Sequence, residues 1–291
     1  MTTTDISTLR NQISRYRVLS TPLGRGRAIE YLQAGQADSP VTHVMLHGIG
    51  SSSASWLAQL EAAALHSGRT PCRVLAWNAP GYGQSSPLGP DTPRAADYAR
   101  RLWLWLDTMK VDAPFVLVGQ SMGCLIAAAA AAQQPKRIKR LVLFAPARGY
   151  GRASKEERER RRDERLAALR ELGPLGLAQR RAASMLSPNA EPALVEYVRD
   201  IMQRVNPTGY AQATHMLSKG DIDSDLARCP APLVVASGSA DTITSQASCS
   251  DIAARAGVKW VDMGPVGHGC PLEAPALANT LLNLAKPIRQ A

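Results

Sequence analysis

Phe115-Val-Leu-Val-Gly119-Gln-Ser121-Met-Gly123-Cys-Leu-Ile126 is an apolar run that breaks at G-Q-S-M-G and resumes in an alanine-rich segment, Ala127–Ala132. Apolar residues up to a glycine, then helix-forming residues, describe a strand that turns sharply into a helix and lifts a serine hydroxyl clear of the backbone. Gly119 and Gly123 suit that turn, because a side chain at either position would collide across it. Ser121 would stand at the apex, at the amino end of the helix. There the Met122 N–H and the helix dipole favour negative charge developing on a substrate oxygen. An isolated G-x-S-x-G also marks ordinary turns. The flanking Val116-Leu117-Val118 and Leu125-Ile126-Ala127 are what make Ser121 a candidate nucleophile.

Outward from this turn, short apolar strands alternate with helical stretches. The patterns predict strands at Arg15–Leu19, Ala28–Leu32, His43–Leu46, Arg73–Trp77, Phe115–Val118, Arg140–Phe144, Leu233–Ala236 and Lys259–Asp262. They predict helices near Ala54–His66, Arg94–Met109, Met122–Gln133, Gln246–Ala256 and Ala274–Leu284. The central strands are apolar on both faces, as a parallel sheet covered by helices on both sides requires. The alternation implies βαβ units, hence a doubly wound, mostly parallel eight-stranded α/β sheet. Tyr98, Leu102, Trp105 and Met109 fall at helical spacing and read as a packing face rather than a binding box.

From about Arg148 to Asp225 the rhythm stops. Only charged or amphipathic helical segments are expected there, near Ser154–Leu172, Leu175–Leu186, Pro192–Val205 and Gly209–Ser218. The chain therefore divides into a first part of the core, 1–147, a helical cap, 148–225, and a second part of the core, 226–291. A lid over the carboxyl edge of the sheet is the natural use of such an insertion.

The 291 residues carry a net charge of +10. The densest charged run, Lys155–Arg165, holds six basic and five acidic residues and reads as a solvated helix with i,i+4 pairs, not a nucleic-acid arm. With no nucleic-acid module and no apolar stretch of spanning length, the sequence points away from nucleic-acid and membrane partners. The basic excess leans instead toward anionic small molecules. Five scattered cysteines (Cys72, Cys124, Cys229, Cys249, Cys270) lack C-x-x-C spacing, which speaks against a disulfide framework or zinc site and for reduced thiols in a cytoplasmic protein. The sequence assigns no oligomeric state.

Three further segments join Ser121. Leu46-His47-Gly48-Ile49-Gly50-Ser51 follows a strand, and its glycine-rich loop can set the Ile49 N–H opposite the Met122 N–H as a two-donor oxyanion hole. Gly48 and Gln120, beside these donors, are candidate substrate contacts. His47 sits at the strand end within this loop and reads as structural. Leu233-Val-Val-Ala-Ser-Gly-Ser-Ala-Asp241 ends a late strand in an acid that can accept a histidine N–H and set its tautomer. An acid could instead stand one strand earlier, but Phe144-Ala-Pro-Ala147 offers none. Gly264-Pro-Val-Gly-His268-Gly-Cys-Pro-Leu-Glu273 places His268 on a glycine-flanked loop, and histidine suits proton transfer near neutrality.

Through H-G-I-G, the N-A-P-G-Y-G segment at Asn78–Gly83, G-Q-S-M-G, G-S-A-D and G-H-x-x-x-x-E-x-P, the chain resembles the α/β-hydrolase superfamily, in the branch with a helical cap. The resemblance spans nearly the whole chain. It implies a catalytic triad of Ser121, Asp241 and His268, oxyanion donors at Ile49 and Met122, and no metal or organic cofactor. Asn78 stands where aspartate is frequent in such chains, and Cys124 where a second glycine is frequent; both read as structural. The implied activity is hydrolysis of a carboxylic ester or lactone of a small molecule, as in esterases and enol-lactonases. Hydrolases of carbon–carbon bonds in ring-cleavage products share the fold but often carry Asn before the nucleophile and Trp after the histidine, where this chain has Gln120 and Gly269. A ligand receptor that keeps the fold without turnover is the non-enzymatic alternative.

Overall fold

The computed structural model describes residues 5–65 and 72–284. Helix α1 (Ile6–Ser14) precedes an antiparallel pair, β1 (Leu19–Pro22) and β2 (Ala28–Gly35). Then β3 (His43–Leu46), α2 (Leu57–Leu65), β4 (Arg73–Trp77), α3 (Ala95–Thr108), β5 (Phe115–Gln120), α4 (Met122–Gln133) and β6 (Ile138–Phe144) alternate. Four helices intervene before the next strand: α5 (Lys155–Arg181), α6 (Pro192–Met202), α7 (Pro207–Lys219) and α8 (Ile222–Leu226). β7 (Leu233–Ser237), α9 (Gln246–Arg255), β8 (Trp260–Asp262), α10 (Cys270–Glu273) and α11 (Pro275–Leu281) follow. The strands form one eight-stranded sheet, in the order β1-β2-β4-β3-β5-β6-β7-β8. β2 is antiparallel to both neighbours, and the pairs from β4 across to β8 are parallel.

The two-residue period of a strand decides how this sheet is buried. Val44, Leu46, Leu75, Trp77, Leu117, Leu141 and Leu143 project to one face and pack with α3, α4 and α9. Met45, Val74, Ala76, Val116, Val118, Val142 and Phe144 project to the other and pack with α2 and α11. Both faces are therefore apolar, which is why the central strands read as continuous hydrophobic runs. Trp105 is fully buried among Tyr31 and Trp77, so the Trp103-Leu-Trp105 helix supplies core and not a ligand box.

Strand order places the site. The chain passes from β3 outward to β4, then returns across β3 to β5 and continues to the other edge. At that reversal the loops after β3 and β5 diverge and leave a crevice at the strand carboxyl ends, where open α/β sheets bind ligands.

Several boundaries differ from the sequence expectation. The first strand is Leu19–Pro22, not Arg15–Leu19, and a helix that the pattern did not suggest, α1, occupies Ile6–Ser14. Ile6, Leu9 and Ile13 lie on one face of α1 and pack against Leu57, Tyr197 and Ile201, while Arg10 pairs with Asp200 at 2.7 Å. The helix expected from Ala54 begins as a 3-10 turn, Ser53–Trp56, because the Ser52 hydroxyl accepts the Ala54 N–H, and becomes α-helical at Leu57. Its expected end, His66, lies outside the described residues.

In the insertion, the two helices expected before residue 186 are the two arms of α5, broken at Gly173 (φ 60°, ψ 179°) ahead of Pro174. The second arm stops at Arg181, followed by a 3-10 turn, Ala183–Met185. α7 starts at Pro207 because the Asn206 side chain caps the Thr208 N–H at 2.9 Å. The helix expected at Ala274–Leu284 is α11, shortened to Pro275–Leu281, and a short helix that the pattern did not suggest, α10, precedes it; each has a proline in its first turn.

Candidate active site

Ser121 sits between β5 and α4 with φ 53° and ψ −115°, a backbone state that costs a residue with a Cβ about 1–3 kcal/mol. The surroundings hold it there. Its N–H donates to Phe144 O at 3.0 Å, and its carbonyl accepts from Cys124 N at 3.0 Å and Ala147 N at 3.2 Å. A Cβ on Gly123 would overlap the Leu46 carbonyl oxygen, and one on Gly119 would lie 2.7 Å from the Cys124 nitrogen. Both glycines are thus required by backbone packed on backbone. The Ser121 hydroxyl has no hydrogen-bond partner among the described residues and borders a cavity.

The loop after β3 lies directly against this turn. An ideal Cβ on Gly48 would stand 3.1 Å from Ser121 Cβ and overlap Gln120 Oε1. Neither the Ile49 N–H nor the Met122 N–H has an acceptor among the described residues. His47, fully buried, explains how the loop is oriented. Its Nε2 accepts the Ala79 N–H at 3.0 Å, so the ring proton is on Nδ1 and donates to Gly48 O at 2.8 Å. In a trans peptide the Ile49 N–H then points away from the imidazole. Burial holds the His47 pKa down to about 4, so this imidazole stays neutral. His47 is a structural brace.

Asp241 and His268 come together at the ends of β7 and β8. His268 Nδ1 is 2.8 Å from Asp241 Oδ2, and both side chains are almost wholly buried. Asp241 Oδ1 accepts the N–H groups of Ile243 (2.8 Å) and Thr244 (3.0 Å), while Oδ2 also accepts the Thr244 hydroxyl at 2.7 Å. Burial pushes the Asp241 pKa up. The His268 hydrogen bond and charge, with the Thr244 bonds, outweigh it and hold the carboxyl below its ordinary value. The arrangement leaves Nε2 as the free nitrogen of His268, able to take a proton.

The His268 loop is also tied to neighbours. Gln120 Nε2 donates to His268 O at 3.0 Å, so its amide nitrogen is engaged although the residue borders the cavity. Glu273 accepts the Gly267 N–H at 2.7 Å and the Ser187 N–H at 2.9 Å, linking the loop to the inserted segment. Gly269 N donates to Met185 O at 2.7 Å.

Two lobes open from Ser121 and His268. One, about 60 Å³, is walled by Gly48, Trp56, Val198, Ile201 and Leu272. The other, about 330 Å³, runs under α5 and α7 and is walled by Arg148, Tyr150, Arg165, Arg181 and Tyr210. Cys124 and Cys270 are fully buried, and burial pushes both thiols far up, so neither is a thiolate nucleophile at neutral pH.

The residue types singled out in sequence therefore converge: Ser121, Asp241, His268, Ile49, Met122, Gly48 and Gln120 all lie at one end of the sheet. Thr244, Glu273, Arg165 and Arg181 were not anticipated as site residues. Asp-x-x-Thr at 241–244, with its acid-capped turn, was a usable signal for Thr244. Asn78 also has an explanation: its amide donates to the buried Glu30 carboxylate, where an aspartate would set two acids face to face.

Sheet order, serine turn and Asp–His pair together define a class. The chain matches the alpha/beta hydrolase family over residues 44–279 and belongs to it. It is similar to 3-oxoadipate enol-lactonase 2 of Acinetobacter baylyi, with 25% identity over 224 residues, 76% of this chain and 78% of that enzyme. It is similar to the crystal structure of a hydrolase from Pseudomonas aeruginosa, with 29% identity, a TM-score of 0.76, and coverage of 92% of this chain and 97% of that one. The enol-lactonase from Burkholderia xenovorans shares the fold at 24% identity and a TM-score of 0.76, over 89% of this chain and 97% of its own. No helix among the described residues is long and apolar enough to cross a membrane.

Proposed function

We propose that this chain is a serine hydrolase that cleaves a carboxylic ester or lactone of a small molecule by two-step acyl transfer. The observation that carries this reading is the 2.8 Å His268–Asp241 hydrogen bond on the wall of the cavity that Ser121 borders. His268 Nε2 closes on the Ser121 hydroxyl and takes its proton as Oγ bonds to the substrate carbonyl carbon. The resulting oxyanion is met by the Ile49 and Met122 N–H groups, neither of which has another acceptor among the described residues. His268 then passes its proton to the leaving oxygen as the carbonyl–oxygen bond breaks. Water attacks the acyl-enzyme with His268 again as base, and the acid is released. Asp241 holds the Nδ1–H tautomer and stabilises the imidazolium throughout.

In this reading residues 148–225 form the cap, supplying the roof of both lobes. A fluorophosphonate probe and a panel of p-nitrophenyl esters and lactones test it. The folded protein is expected to label at Ser121 and to turn over at least one panel member. Ser121→Ala is expected to fold normally and lose both properties. Turnover undiminished in Ser121→Ala overturns the mechanism.

A further inference from the structure

The walls of the larger lobe are unbalanced in charge. Three arginines, Arg148, Arg165 and Arg181, border it, and no aspartate or glutamate does. Arg148 is committed to Asp223 and Asp251. Arg165 and Arg181 are half-buried residues, and their guanidiniums have no ion-pair or hydrogen-bond partner among the described residues. Both also border a separate cleft whose walls include Glu164 and Glu171; Glu164 is paired with Arg160 at 2.6 Å, and Glu171 is exposed and forms no ion pair with Arg165 or Arg181.

Their convergence is built by the fold. Arg165 and Arg181 are sixteen residues apart on α5; a straight helix would hold them roughly 24 Å apart, on opposite sides of its axis. The break at Gly173 and Pro174 brings both to one cavity that also contains Ser121 and His268. Unpartnered guanidiniums on a cavity wall are stabilised by a carboxylate, which they can grip through paired N–H donors. Tyr150, Ser245 and Ser248 on the same walls add hydroxyl groups to the polar lining.

We propose that Arg165 and Arg181 bind a carboxylate of the substrate, so that the substrate is an anionic ester or lactone with its charged group in the larger lobe. The smaller lobe, walled by Trp56, Val198, Ile201 and Leu272, takes a short apolar part of the same molecule. This assignment rests on the serine hydrolase reading for the position of the scissile bond. The anion site itself rests only on the arginines.

The test pairs monoethyl glutarate, an anion at pH 7.5, with the neutral diethyl ester, and follows kcat/KM for each. The native protein is expected to prefer the half-ester. Each of Arg165→Gln and Arg181→Gln is expected to lower the half-ester to diester ratio by about ten- to a hundredfold. The Lys double variant, which keeps both charges without the planar fork, is expected to retain part of the preference. Arg170→Gln removes the same charge from the same helix at an exposed position outside both lobes, and is expected to leave the ratio unchanged. A second readout needs no turnover. Calorimetric binding of glutarate to the Ser121→Ala protein is expected to weaken at least tenfold in the Arg165→Gln, Arg181→Gln double variant. An unchanged ratio and unchanged glutarate binding in that variant overturn the anion site, whether or not esters are cleaved. An equal fall in Arg170→Gln also overturns it, in favour of long-range steering. Arginine-dependent glutarate binding with no ester turnover and no fluorophosphonate labelling supports the anion site and defeats the hydrolase reading instead.

Discussion

Asp241→Asn exchanges one carboxylate oxygen for an amide nitrogen and should remove nearly all turnover without unfolding the protein. The carboxylate has four donors to satisfy: the Ile243 and Thr244 amides on Oδ1, and the Thr244 hydroxyl and His268 Nδ1 on Oδ2. An asparagine has one oxygen. Keeping both backbone bonds puts that oxygen at Oδ1 and turns the amide NH₂ toward Thr244 and His268. The Thr244 hydroxyl can adapt, since Ala145 O lies 3.2 Å away as a second acceptor. The imidazole faces an N–H at short range, with only the Thr244 hydroxyl, 3.2 Å away, as another partner among the described residues; its Nδ1 therefore accepts from the amide, its proton moves to Nε2 and the base is blocked. A wrong tautomer in such a triad costs about 10⁴ in rate, or about 5 kcal/mol at 1.36 kcal/mol per decade. No carboxylate ends β6, where Ala145-Pro-Ala147 stands, so none can stand in. Steady-state hydrolysis of p-nitrophenyl butyrate, with near-UV circular dichroism to check folding, measures the effect. A folded variant within tenfold of native kcat/KM refutes the tautomer argument.

His47 should give the fold an acid-sensitive element. Its unfolded imidazole takes a proton near pH 6.5 and the folded one near pH 4, so the folded state binds fewer protons in between. Stability therefore falls as pH drops across that window, by about 3 kcal/mol (about 2.5 units at 1.36); urea melts across pH should show this slope, and His47→Gln should abolish it. Gly123→Ala would drive a methyl into the Leu46 carbonyl and should cost about 3 kcal/mol or more, whereas Gly89→Ala, with open space around it, should stay within about 0.5 kcal/mol. Equal melting temperatures for the two alanine variants would contradict the backbone-contact account of the turn. Glu273→Ala strands the Gly267 and Ser187 amides and should cost about 2–4 kcal/mol, with kcat/KM falling as the His268 loop loosens; an unchanged melt would show that water serves those amides equally well.

The parts legible in sequence are those where the backbone leaves no choice. Gly119 and Gly123 are compelled by atoms a few residues away or on the adjacent strand, and the apolar double-faced runs of β3, β5 and β6 have no other stable setting. Chain order then placed Asp241 and His268. What escaped were features decided by distant partners. Helix α1 is short and weakly apolar, and packing against α6 makes up for that, which no local pattern reveals. β1 is a half-exposed edge strand whose alternation runs through Ser20 and Thr21 rather than the bulkier residues before it. Arg165 reads in sequence as one more charge in a solvated run. Only the break at Gly173 brings it to the cavity that Arg181 also borders.

The packing of α6 bears on how such a chain could diversify. Ile201 lines the small lobe and also belongs to the cluster that grips α1, while Tyr197 on the same helix bonds Ala54 O at 2.9 Å. A lineage that trimmed Ile201 to admit a bulkier apolar group would loosen the hold on α1 in the same step, so substrate range and the seating of a remote helix would drift together. Val198 and Met202 pack mostly against residues of the insertion itself, Ala182, Met185 and Leu186 among them. They are the positions through which the lobe can be reshaped while the rest of the fold stays in register.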